Sequence, residues 1–423
     1  MSGQPGENQA LRPRVLILGG GFAGLGAARK LKDADADIVL VDEHDYHTFQ
    51  PLLYQVASDL LETSAVGHPL RGLFHEQPNT SVHQDAVTGV DLAARSVQFA
   101  EMAPLTYDYL VLGLGAEVNF FGVDGAEHAF PMYTLSDAVR LKEHVLRQWE
   151  AADRDPTKVD DGALNVVIVG GGATGVETAG ALSELYRSNF DKDYPSLPQE
   201  KARIMLVEAS PELFSMFKED IRTWTQRALE KRGVDVLLGE IVASITPTRV
   251  TLKSGKVLEA HTLVWGAGLR GNSIGESLGL ELQKGNRVSV EADLSIAGHP
   301  EVFAVGDIAS ITDTKTGEVL PQLGSVALQA GERAGENIAR RIAGKETEPF
   351  VYKDKGTMAT IGRGAAVIQM PGGRTMKGKS AFLAWGAVHL ALLSTGEDRT
   401  KAVMDWTWAG FTHERSGRIT VKT

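Results

Sequence analysis

Residues 15–31 read VLILGGGFAGLGAARKL, and residues 166–182 read VVIVGGGATGVETAGAL. Each is a short apolar run that breaks into glycines and resumes as an Ala-rich helical pattern, which predicts strand, tight turn and helix in succession. Within each lies G-x-G-x-x-G, as Gly19, Gly21 and Gly24 and again as Gly170, Gly172 and Gly175. The spacing has a mechanical reason. The first glycine permits the turn, the second lets main chain approach a pyrophosphate, and the third lets the helix pack on the strand. The helix N-terminus then meets the phosphates with unpaired N–H groups and the positive end of its dipole. A dinucleotide site also calls for an acid at the end of the next strand, where ribose hydroxyls are held. Asp42 closes IVLVD in the first unit, and Glu208 closes IMLVE in the second, delayed by the inserted SNFDKDYPSLPQEK. The acid at 208 is followed by Ala209, Ser210 and Pro211, with no Arg. That arrangement favours NADH, because a carboxylate accepts from a free 2′-hydroxyl and repels a 2′-phosphate.

Two such units about 150 residues apart predict two βαβ domains in an α/β fold, since solenoid repeats recur every ~20–50 residues. Further strands are expected in YDYLVLGLGAE (residues 107–117), LVWGAG (263–268) and HPEVFAVGDIA (299–309), the last ending in Gly306-Asp307. A helix is expected over residues 325–342 and a charged surface connection over 150–162. From about residue 350 the character changes, and three of the six Trp fall there: Trp385, Trp406 and Trp408.

The chain has 423 residues and no cysteine. Structural disulfides, thiolate metal sites and redox-cysteine chemistry are therefore excluded. The 11 His show no metal-like grouping beyond His44 and His47, which fall in an expected loop with no Cys to assist, and no metal is expected. The net charge of −11 argues against a nucleic-acid partner. Its distribution is uneven: residues 351–423 hold 11 Lys and Arg against 5 Asp and Glu, a balance of +6 that leaves −17 for the rest. GESLG (residues 275–279) matches a nucleophile-elbow pattern, but no strand precedes it as an elbow needs.

No apolar run reaches the ~18 residues of a membrane span. AFLAWGAVHLALL (residues 381–393) is shorter and suits a helix lying in a membrane interface. Lys377, Lys379, Arg399 and Lys401 flank it to meet anionic headgroups, and Trp385, Trp406 and Trp408 suit the interfacial zone. A buried helix pair or a homodimer seam is the competing reading of that run.

The order GGGFAG, FQPLLYQVA (residues 49–57), YDYLVLGLGAE, GGGATGVETAG, VFAVGDIA, ALQAG and KGTMATIGRGAAV (residues 355–367) resembles the type II NADH dehydrogenases, single-chain NADH:quinone oxidoreductases of the pyridine nucleotide-disulfide reductase superfamily. The resemblance implies two Rossmann-like dinucleotide-binding domains, for FAD and NADH, plus a C-terminal region with amphipathic helices. It places the first part of the FAD domain at residues 1–120, the NADH domain at 121–284, the second part of the FAD domain at 285–349, and a membrane-surface or dimerisation region at 350–423. It assigns Gly19, Gly21, Gly24 and Asp42 to FAD, brings Pro51 and Leu52 near the flavin, and sets Asp307 against its ribityl and phosphate region. Gly170, Gly172, Gly175 and Glu208 take NADH. Glu177, two residues past the loop glycine and expected in the helix's first turn, is the family glutamate near nicotinamide and flavin. Ala327 and Gln329 belong to the pocket where quinone docks. Ser325 stands where family members often carry Gln.

The expected reaction passes hydride from NADH to FAD and two electrons directly to a quinone, on the cytoplasmic face of the cell membrane. The alternatives are a soluble NADH-dependent flavin reductase or oxidase, and a slow-turnover redox sensor that binds a partner.

Overall fold

The computed structural model describes residues 12–412, with the side chain of Asp191 excepted. The chain forms two compact units, each assembled from separated segments. The first takes the chain through His47, then Pro69–Glu117 and Arg270–Lys353; the second takes Thr48–His68, Val118–Leu269 and the chain from Asp354 onward.

The first unit is built on a six-stranded sheet in the order Ser295–Ile296, His299–Ala304, Tyr109–Leu112, Arg14–Leu18, Asp37–Asp42, Thr80–Gln84. All neighbours are parallel except the edge pair Ser295–Ile296 and His299–Ala304. The central VLIL is fully buried, as expected of a parallel strand covered on both faces. Helix Phe22–Lys30 packs closely against helix Gly324–Ile342. Their small residues make this possible: a Cβ on Gly331 would run into the Ala23 carbonyl, and one on Gly26 would lie 2.7 Å from the Leu328 carbonyl oxygen.

The second unit repeats the plan with five parallel strands, in the order Phe130–Pro131, Thr262–Trp265, Val166–Val169, Ile204–Glu208, Val234–Leu238. Helix Leu135–Arg154 opens with a reciprocal cap between Thr134 and Asp137 and buries Trp149 against Tyr186 and Phe190. The connection expected over residues 150–162 therefore begins as the last turn of this helix, and a short helix, Thr157–Asp160, follows. Charge misled there, because the helix is amphipathic and turns its charged side to water.

Helix Ala173–Leu185 runs into a wide π turn at Tyr186–Phe190. From Asp354 the chain adds a three-stranded antiparallel sheet, Thr357–Gly362, Ala365–Gln369 and Thr375–Gly378, and two helices, Lys379–Leu392 and Gly396–Thr412. No helix among the described residues is long and apolar enough to cross a membrane.

Candidate functional site

The two glycine loops have the same construction. Gly19 and Gly170 adopt φ of +99° and +113° and lie against main chain of the neighbouring strand end, at Gly113 and Gly266. Gly24 and Gly175 each face the carbonyl of the first loop glycine so closely that a Cβ would overlap it. Gly21 and Gly172 differ from these. Their backbones are extended, and a Cβ on either would meet no protein atom within 4 Å. The protein itself leaves these positions open, so a side chain there would occupy space available to a ligand. Helices Phe22–Lys30 and Ala173–Leu185 begin at these glycines with no side-chain cap and no acid in the first turn. Their N–H groups are left for an anion.

The strand-end acids act alike as well. Asp42 accepts from the N–H of Gly20 at 2.6 Å and of His44 at 2.7 Å. Glu208 accepts from the N–H of Gly171 and, at 2.7 Å, from Ser210. Each carboxylate ties the glycine loop to its own strand end, and each retains acceptor capacity for a sugar hydroxyl. Around the second loop is a cavity of about 480 Å³, lined by Gly170–Gly172, Glu208, Glu240, Ile241, Phe121 and Trp265 among others. Glu240 brings a second carboxylate, and its N–H donates to the Glu208 carbonyl at 3.0 Å. Neither Phe121 nor Glu240 carries a motif signal; strand ends converging on the loop bring them there.

In the first unit, Asp307 sits in the Gly306–Ile308 turn that ends strand His299–Ala304, and its carbonyl accepts from Gln322 at 3.0 Å. Gly306 has φ +73°, and a Cβ there would lie 3.1 Å from Ala23 and 3.5 Å from Ala327. The turn is thus held between the loop helix and helix Gly324–Ile342. Gln329 on that helix is engaged with main chain: its amide donates to the carbonyls of Ser325 and Lys353, both at 3.2 Å, and accepts from the Lys353 N–H at 3.1 Å. Ser325 pairs with the Tyr352 hydroxyl at 2.9 Å.

In the second unit, Pro51 and Leu52 lie in the short 3₁₀ turn Gln50–Leu52 that leads into helix Leu53–Ala57. That helix carries Tyr54 and Gln55, which belong to a continuous polar series. Trp406 Nε1 donates to Gln55 Oε1 at 2.7 Å, Gln55 Nε2 donates to the Tyr54 hydroxyl at 3.0 Å, and that hydroxyl meets Thr360 Oγ1 at 2.7 Å. Thr360 in turn donates its N–H to Glu177 at 3.0 Å. Glu177 lies in the second turn of its helix, not the first, since the helix begins at Ala173. The side chain is therefore directed to Thr360 on the C-terminal sheet. The residue keeps some exposed surface, but its carboxyl is enclosed by protein. Burial pushes that carboxyl up to about 8, against the Thr360 hydrogen bonds that favour the ionised form. Burial, with Glu177 close by, also holds the Tyr54 phenol well above its usual range.

This series borders an apolar cavity of about 1030 Å³, walled by Tyr54, Thr360, Phe382, Trp385 and Trp406, at the upper end of the ~300–1,000 Å³ usual for ligand pockets. Trp385, expected at an interface, is instead only 1% exposed. The cations expected to face headgroups are largely committed elsewhere. Lys377 pairs with Asp220 at 2.8 Å, Lys401 with Glu397 at 2.7 Å, and Arg399 donates to the carbonyls of Ala391 and Leu393. Apolar side chains hold the outer surface: Leu383 and Leu392 on the first C-terminal helix, and Met404, Trp408 and Phe411 on the second, with Phe411 85% exposed.

Parallel sheets that each end in an anion cradle define a two-nucleotide α/β scaffold. Residues 13–331 match the pyridine nucleotide-disulphide oxidoreductase family, and residues 355–413 match the NDH2 C-terminal domain. The chain is 35% identical to the type II NADH:quinone oxidoreductase Ndh of Mycobacterium tuberculosis, over 99% of this chain and 92% of that protein. It is 34% identical to NdhA of the same organism, over 95% of this chain and 88% of the other. The fold is that of NDH2 from Plasmodium falciparum solved in complex with NADH, with a TM-score of 0.87 and 19% identity, covering 97% of this chain and all of that one. The chain belongs to the type II NADH:quinone oxidoreductases of the pyridine nucleotide-disulphide oxidoreductase family.

Proposed function

We propose that this chain oxidises NADH and reduces a quinone, with FAD held by the first unit and NADH by the second. FAD, when bound, supplies hydride acceptance and two-electron release. The residues do the rest. Gly19, Gly21 and Gly24 admit the FAD pyrophosphate, Asp42 holds its ribose, and Asp307 faces its ribityl and phosphate region. Gly170, Gly172 and Gly175 admit NADH, while Glu208 and Glu240 select against a 2′-phosphate. The family resemblance assigns Pro51 and Leu52 to the flavin as well. Ala327 and Gln329 belong to the flavin-facing wall of the first unit, where Gln329 fixes Lys353.

The observation that carries this reading is the apolar cavity bordered by the Tyr54–Thr360–Glu177 series, in a chain with no cysteine. Without thiols, electrons pass to the acceptor with no disulfide relay. A quinone needs two electrons and two protons, and a carboxyl that burial pushes up to about 8, hydrogen-bonded by both the N–H and the hydroxyl of Thr360, with the Tyr54 hydroxyl beyond it at the cavity wall, can hold and deliver a proton. The exposed apolar side chains of the C-terminal helices are where the protein would rest on the cytoplasmic face of a membrane, the source of such an acceptor. A homodimer seam on the same surface is the competing use.

The test is steady-state NADH oxidation by the flavin-loaded protein with a panel of quinones, with and without lipid vesicles. Quinone-dependent turnover that rises with lipid is expected. Equal turnover with oxygen or ferric chelates and no response to quinone would overturn the reading in favour of a soluble flavin reductase.

A further inference from the structure

The large cavity of the second unit is apolar within, yet its rim is cationic. Among the described residues, Arg187, Lys192, Lys231, Arg232 and Arg363 line it, against one acid, Glu184. That acid is already engaged: it accepts from the Arg363 N–H and lies 4.0 Å from Arg232 Nε. Arg187 is near enough to Arg232 for the two guanidinium groups to repel. Arg187 and Lys231 are exposed and belong to no ion pair among the described residues. Both also line an adjoining cavity of about 400 Å³, so the positive charge is concentrated where the two cavities meet. The wide turn at Tyr186–Phe190 places Arg187 and Ser188 on this rim, and single π turns recur at functional sites.

A neutral quinone gives no reason for this charge. Cations crowded at the mouth of an apolar cavity match a ligand with an anionic head and an apolar tail. We propose that the rim binds the phosphodiester headgroup of an anionic membrane phospholipid through Arg187, Lys231 and Arg232, with an acyl chain laid along Phe382 and Leu383. Leu383 lines the cavity and is 73% exposed, so one side chain joins the cavity to the outer apolar surface. The choice of a lipid as source rests on the membrane-surface reading above.

The test separates the two. The flavin-loaded full chain is titrated with dihexanoyl phosphatidylglycerol or dihexanoyl phosphatidylcholine, both below micelle formation, and followed by tryptophan fluorescence. No bilayer is present, so failure of the membrane reading, scored by co-sedimentation with vesicles, does not enter. Saturable binding is expected, with phosphatidylglycerol about tenfold or more tighter than phosphatidylcholine, in keeping with the effect of a few basic residues near an anionic headgroup. Arg187→Gln/Lys231→Gln should abolish the preference while FAD content and Tm stay unchanged. Equal binding of the two lipids, or a preference that survives the double variant, would overturn the proposal. So would inorganic phosphate binding as tightly as phosphatidylglycerol, since the site would then take a free anion.

Discussion

Gly21 and Gly24 stand three residues apart and should fail differently when substituted. A side chain at 24 would overlap the Gly19 carbonyl, whereas one at 21 would meet open space. Gly24→Val is expected to destabilise the first unit by on the order of 3 kcal/mol, the cost of overpacking against main chain. Gly21→Val should fold normally and purify colourless; flavin absorbance per chain and circular dichroism distinguish the outcomes. Glu177 makes a pH prediction. Its folded carboxyl titrates at about 8 against 4.5 for the free group, so the folded state binds the extra proton between those values. Stability contributed by this group is therefore full below 4.5 and is lost as pH rises toward 8. Thermal unfolding of Glu177→Gln should match wild type at low pH and exceed it increasingly up to about pH 8, where a constant difference would contradict the assignment. At the second loop, Glu208→Gln should raise NADPH use relative to NADH by about tenfold, the scale of one removed charge repulsion near a partly buried site. Stopped-flow flavin reduction with each nucleotide measures it. Asp42 and Glu208 were legible as strand ends because the glycine pattern is local. Thr360 was not legible as the partner of Glu177, because the two are 183 residues apart and no short-range pattern records such a contact.

Elements were legible where periodicity is strong. The helix expected over 325–342 is observed as Gly324–Ile342. Helix Leu135–Arg154 escaped, although Thr134 and Asp137 spell out its cap in the sequence. The apolar run at 381–393 illustrates a physical limit. It is apolar on nearly every side, so composition could not say that Ala381, Trp385 and His389 turn inward while Leu383, Val388 and Leu392 turn out. Burial lowers the His389 imidazole to about 4, which keeps that inward face neutral. On the membrane-surface reading proposed above, the outward residues of the second helix are the contact surface. Trp408→Glu/Phe411→Glu should lose co-sedimentation with vesicles of any headgroup, because the change removes apolar area. NADH oxidation with a water-soluble quinone should persist. Retention on vesicles by this variant would move the contact surface elsewhere.

Across the whole molecule, the doubled nucleotide plan could be read from two short stretches, but the way the chain is shared between units could not, since it depends on returns from distant segments. The strand Thr357–Gly362 lies so close to helix Ala173–Leu185 that a Cβ on Gly180 would be 2.6 Å from the Ile361 carbonyl oxygen. A chain ending at Lys353 should therefore expose that helix and the walls of the large cavity. It is expected to partition into the insoluble fraction on expression, and a soluble, NADH-oxidising fragment would refute this. The same interleaving bears on synthesis. The first unit lacks the strand pair Ser295–Ile296 and His299–Ala304 until residue 304 is made and its Gly324–Ile342 helix until residue 342, and the second lacks its last sheet and helices until nearly the end. Between about residues 170 and 265 the nascent chain thus carries two unfinished parallel sheets at once, with unpaired edges open to wrong partners. Slowing the ribosome over that stretch is expected to prolong the exposure without letting either sheet close, and so to raise the need for chaperone holding in the middle of translation rather than at its end.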